Sequence, residues 1–223
     1  MTRQLLTAAR LKKILFNEHR ALSRHPHNTG IRQQIALEAA RLLACQEARG
    51  PQDARQKAAS RLGCRDRAKW PDNQDIEQAL QDYQRLFQAH RQPLDLQRLR
   101  RRALEAMENL QAFSPRLVGA VLRGTADHDT PVRLHIYADS PEQVILHLLD
   151  QRIPFDERTI QLQYGDRSRQ HHPLLEFDAG GATIELVILS PARRSTPPVD
   201  PWSKRPDRGA GLSQVESLLL ETK

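Results

Sequence analysis

Between Val132 and Asp139 apolar and polar positions alternate strictly, Val132, Leu134, Ile136 and Ala138 against Arg133, His135, Tyr137 and Asp139. A period of two sets the first series on a core and the second on one open face of a strand. Ahead of it, Val118, Ala120, Val121 and Leu122 form a short apolar run closed by Gly124, which predicts a buried strand and a glycine turn. Behind it, Ser140-Pro141-Glu142-Gln143 places a hydroxyl at the N-cap, proline at N1 and glutamine at N3. A helix is expected from Pro141 to about Arg152, burying Val144, Ile145, Leu148 and Leu149.

The alternation resumes with Ile160, Leu162 and Tyr164 against Thr159, Gln161 and Gln163, a third strand. A polar loop is expected from Gly165 to His172, with the adjacent His171 and His172 as loop residues. Leu174–Ala179 and Thr183–Leu189 then meet across Gly180-Gly181, a strong hairpin signal.

The first half has helical periodicity instead. An amphipathic helix is expected from Thr2 to about Ser23, broken by His25-Pro26-His27 and Gly30. Helices follow at Ile31 to about Gln46, at Asp53–Leu62, and after an N-cap at Asn73 with Ile76, Leu80, Tyr83 and Phe87 as stripe. A long helix from Pro93 to about Ala112 turns Leu96, Leu99, Ala103, Met107 and Leu110 inward. The Pro- and Arg-rich segment from Ser190 to Gly211 reads as a surface strap anchored by Trp202, and Ser213 to Glu216 as the cap of a short last helix. The expected fold is therefore α+β: a basic helical region (1–113), a small mixed sheet with flanking helices (114–190), and a strap with a short helix (191–223).

Charge sharpens this division. Residues 1–111 carry 21 Lys and Arg against 12 Asp and Glu, and residues 112–223 carry 13 against 15. A basic half beside a near-neutral one points to a polyanion, such as nucleic acid, with Arg85, Arg91, Arg98, Arg100, Arg101 and Arg102 as its candidate contacts. A protein partner is the alternative. Aromatic residues that would stack bases are scarce. No apolar run approaches the ~20 residues of a membrane span. Cys45 and Cys64 lack metal-type spacing and suggest buried thiols in a reducing, cytoplasmic setting.

Candidate chemistry gathers on the sheet. Gly124-Thr125 combines a residue tolerant of positive φ with a hydroxyl and a backbone N–H, a combination suited to phosphate. That turn, a following strand with polar residues at i and i+2, and a later strand with a carboxylate resemble the nucleotidyltransferase superfamily, over roughly Leu117 to Leu189. The resemblance implies that Gly124 and Thr125 hold a nucleoside triphosphate and that carboxylates bind Mg²⁺. Arg133 and His135 stand where the family places its D-x-D pair, and the spacing from turn to strand is shorter. The third-carboxylate position falls on Glu185, and Asp127 and Asp129 in the loop are further candidate ligands. An active enzyme would use Glu185 and His135 as catalytic residues, Arg133 on phosphate, and Asp127, Asp129 and Glu185 on metal. A degenerate protein would keep the fold without Mg²⁺ chemistry and bind nucleotide, nucleic acid or a protein. The remaining alternative is an interaction module with no nucleotide site.

Overall fold

The computed structural model describes residues 30–48 and 50–220. The helix expected over Thr2–Ser23, and His25 and His27, lie outside the described residues. Seven α-helices and one five-stranded mixed sheet make up the rest, an α+β fold with helices dominating the first half.

Helices α1 (Ile31–Ala44), α2 (Pro51–Arg61) and α3 (Asn73–Phe87) pack around small side chains. Ala39, Ala54, Ala58 and Ala59 surround Ile35, Leu42 and Ile76, all fully buried. Alanine keeps helix propensity high and lets neighbouring axes approach closely. The cap of α3 is Asp72, not Asn73: Asp72 accepts from the Asp75 N–H and Asp75 accepts from the Asp72 N–H. Both residues suit an N-cap, and the reciprocal box decides between them. Asn73 is thereby freed to hold the strap. The cysteines are free, Cys45 exposed and Cys64 half-buried, so the expectation of buried thiols fails.

Helix α4 (Gln92–Asn109) belongs to the sheet. Leu96, Leu99, Ala103 and Met107 join Leu117, Leu134, Ile136, Leu175, Ile184 and Leu186 in the main core. The strands are β1 (Arg116–Val118), β2 (Val132–Tyr137), β3 (Asp156–Gln163), β4 (Arg169–Ala179) and β5 (Ala182–Leu189), in spatial order β1-β2-β5-β4-β3. Only the β2–β5 pair is parallel.

Three expectations needed correction. The apolar run after β1 is not strand: Gly119 ends β1 and opens a one-turn helix, α5 (Ala120–Arg123), with Gly124 as its left-handed cap. A short apolar run fits a buried strand or a buried helical turn equally well. The segment Gly165–His172 is not all loop, because β4 begins at Arg169 and carries both His171 and His172. Its side chains are polar on both faces there, so no alternation marks it. Third, α6 (Pro141–Asp150) buries Val144 and Leu148 but leaves Leu149 56% exposed.

The β4–β5 hairpin turns at Gly180 and Gly181, both at positive φ (55° and 75°), as a tight right-twisted hairpin requires. The strap bridges Val199 to Pro206 and Leu117 to Ala210, and packs Trp202 against both clusters of the helical half. It leads into α7 (Leu212–Leu220), which lies on α4.

Candidate functional site

One face of β2 feeds the core, and the other carries Arg133, His135 and Tyr137 as the alternation requires. Parallel pairing sets Arg133 beside Glu185 and His135 beside Val187. The Arg133 Nε donates to Glu185 Oε2 at 2.6 Å, with 12% of the Glu185 side chain exposed. Across β5 the row continues: Glu176 on β4 is the register partner of Glu185. Arg158 on β3 reaches the Glu176 carboxylate at 3.0 Å. Two carboxylates thus sit centrally on this face, each holding one guanidinium. Glu176 escaped sequence reasoning, although a two-residue hairpin at Gly180-Gly181 fixes its pairing with Glu185.

His135 lies one row further along β2, 3% exposed, and its Nδ1 has no hydrogen-bond partner. Burial, then the neighbouring Arg133 and His172, push its pKa down to about 4. It is therefore a neutral imidazole at physiological pH. Beyond it, Tyr164 is hydrogen-bonded to His172 Nε2 at 2.7 Å. The strap covers this end, with Arg193 stacked over Tyr164 and Arg194 over Tyr137.

The other candidates lie apart from this row. Thr125 is buried, its N–H bonded to Ala120 O and its carbonyl to the Gln84 side chain. The Gly124 carbonyl accepts from Gln92. Leu96 and Arg100 of α4 pack against Gly124. This turn is a packed joint whose donor is already used, not an open cradle. Asp127 is tied to its own loop by Thr130, whose hydroxyl contacts its carboxylate and accepts its N–H. The Asp127 and Asp129 carboxylates share Gln46 Nε2 at 3.4 and 3.5 Å. A hydrogen bond from His128 holds Asp129 below the usual carboxylate range. Among the described residues, no three His, Cys, Asp or Glu side chains converge as a metal ion requires. Asp127, Asp129 and Glu185 do not form one cluster.

The arginines of α4 also have occupations. Arg98 donates to Gly181 O (2.7 Å) and His128 O (3.1 Å), clamping the hairpin to the loop before β2. Arg100 is 7% exposed and bonds carbonyls of α5 and α7. Arg102 lies against Gly180 and pairs with Glu105. Consecutive arginines on a helix diverge by about 100°: Arg100 is buried, Arg98 and Arg102 lie half-exposed along the hairpin, and Arg101 is exposed. Of the arginines expected to form a basic patch on α4, Arg100 is taken out of it by burial. The exposed Arg85 and Arg91 pair with Asp82 and Asp95.

Two clefts of about 510 and 520 Å³ open in the helical half, and Arg133, His135 and Glu185 line neither. Volume and charge thus disagree about where a ligand would sit. The sheet face holds the charged row without a cavity, and the clefts hold cavity beside Trp202 and Trp70. Among the described residues no helix is long and apolar enough to cross a membrane.

Compared with family models, with curated proteins and with solved structures, the chain matches none.

Proposed function

We propose that this chain is a nucleotidyltransferase-like protein that works by binding and not by phosphoryl transfer. The Arg133–Glu185 pair carries this reading. Metal-assisted transfer depends on clustered carboxylates whose charge is left for Mg²⁺. Here Glu185 is neutralised by an arginine on the adjacent strand, and Glu176 by Arg158. A divalent ion at Glu185 would sit beside a guanidinium and compete with it. The used N–H of Thr125 removes the phosphate cradle that the resemblance implied. Nucleotide, nucleic acid and protein are the partner classes, and no Mg²⁺ is required for any of them.

A thermal-shift panel of nucleoside triphosphates, each with and without Mg²⁺ or Mn²⁺, tests this. A ligand at ~100 times its dissociation constant adds about 2.7 kcal/mol to stability. No metal-dependent rise in midpoint is expected. A rise that requires metal overturns the proposal and favours the alternative, a Mg-dependent enzyme with an atypical site. That alternative draws on the convergence of Asp127 and Asp129 at Gln46, so Asp127→Asn and Asp129→Asn would then have to abolish the rise.

A further inference from the structure

Both tryptophans of the chain, Trp70 and Trp202, border the helical-half clefts. The two clefts adjoin at Arg55 and Asp72, which line both, and make a two-part groove along the start of α3. Its floor is fixed by hydrogen bonds. The Arg55 guanidinium donates to Pro71 O at 3.1 Å and to Asn73 Oδ1 at 2.8 Å. Asn73 in turn donates to Pro201 O and Trp202 O, at 2.8 and 3.0 Å. The strap and its Trp202 are thereby held in place before any ligand arrives.

Each tryptophan sits within a cationic stretch. Arg65, Arg67 and Lys69 precede Trp70, and Lys204, Arg205 and Arg208 follow Trp202. Arg67 lies 5.6 Å from the Trp70 ring centre, and Lys204 and Arg205 are exposed. Cations outnumber acids along the groove: Arg32, Arg55, Arg67, Lys204 and Arg205 line it against Asp72 and Glu77. Asp72 caps α3 and shares Arg32 with Asp75, and Glu77 shares Arg123 with Asp200. The surface therefore offers two part-exposed indole rings with an excess of cations beside them, Arg123 itself lying 5.4 Å from the Trp202 ring centre.

We propose that this groove binds single-stranded nucleic acid, with phosphates on Lys204, Arg205 and Arg67 and bases against Trp70 and Trp202. Bases of a single strand are free to stack on aromatic rings, and every base has such a face, whereas a duplex hides them. An acidic peptide would satisfy the cations and leave the rings idle. The groove is separate from the β2–β5 face, so this proposal stands or falls independently of the sheet's role.

The chain's own fluorescence provides the test, because its only two tryptophans border the groove. Emission is followed while oligo-dT or oligo-U of about 12 nucleotides is added over roughly 50 to 200 mM salt. Expected are quenching and an affinity that falls with salt. In Lys204→Ala/Arg205→Ala, the slope of log affinity on log salt should become shallower by about 1.4, at about 0.7 per lost phosphate contact. Its melting midpoint should stay unchanged. Trp70→Phe should weaken binding about tenfold through poorer stacking. Absence of quenching by either strand overturns the proposal, as does an unchanged salt slope in the double variant. Equal binding of a duplex of the same length overturns it too. Displacement by polyglutamate at equal charge concentration would mark the groove as a site for acidic peptides and overturn it as well.

Discussion

Arg133 and Glu185 are register partners on the parallel pair β2–β5, and their side chains meet at 2.6 Å. Because Glu185 is mostly covered, losing its partner strands a carboxylate in a site with little water. Breaking a buried pair costs more than replacing both members by apolar groups. Arg133→Met should therefore destabilise the fold by about 1–3 kcal/mol, and Arg133→Met/Glu185→Leu by less. Urea unfolding of the two single variants and the double variant gives the coupling. Additive effects would mean that the two side chains do not interact energetically.

His135 provides a pH dependence with a definite sign. Its pKa in the fold is about 4, against about 6.5 for a solvated histidine. The unfolded chain thus takes up a proton that the fold refuses, and stability rises with pH across this window. The contribution is fully present above about pH 6.5. It is lost as pH falls toward about 4, roughly 3 kcal/mol in all. His172, pushed below the usual range mainly by burial, adds in the same direction. Replacing His135 by Leu should flatten the fall in stability between about pH 7 and 4.5, measured against the parent chain. An unchanged profile would show that burial of His135 does not set it.

These relationships were unequally legible in the chain. The alternation in β2 and the Gly180-Gly181 turn are local signals, and both set the two faces as read. The face expected to be open is nevertheless covered at His135 and Tyr137, 3% and 6% exposed. With the turn fixed, the pairing of Glu176 with Glu185 follows by counting outward along the two strands. The α5 turn was hidden because Val121 and Leu122 carry no period in so short a run. The arginines of α4 show a different limit. Sequence gives their charge, but the carbonyls of Gly181, His128, Val121 and Leu218 that they meet come from elements as many as 118 positions away. Charge read without those partners does not show that Arg98 and Arg100 also join elements of the fold.

Gly209 tests how the strap is fastened. Its φ is +60°, and a Cβ placed there would lie 2.8 Å from the Leu117 carbonyl oxygen, a backbone atom that cannot swing away. Leu117 and Ala210 exchange both backbone hydrogen bonds at this point, at 2.9 and 2.8 Å. Gly209→Ala should cost about 2–4 kcal/mol, adding strain at positive φ to a lost bridge. Amide exchange of Leu117 and Ala210 should accelerate. If exchange at both amides stays at the parent rate, the bridge does not depend on a bare glycine.

Arg100 is a cation placed within an apolar stripe, between Leu96, Leu99 and Ala103, and it is 7% exposed. Its Nε reaches Val121 O at 3.4 Å and its Nη1 reaches Leu218 O at 3.3 Å. Leu218 lies in α7, and Val121 in α5. One guanidinium thus ties α4 to both α5 and α7, which a side chain with a single point charge cannot do at two separated carbonyls. Arg100→Met keeps most of the stem's apolar packing and removes every donor. It should destabilise by about 2–3 kcal/mol, with Arg100→Lys recovering part of the loss. Hydrogen exchange separates this from a general loosening: amides of α7 should open before those of β2 and β5. A methionine variant as stable as the parent, with α7 equally protected, would show that the ties contribute nothing beyond the packing of the stem.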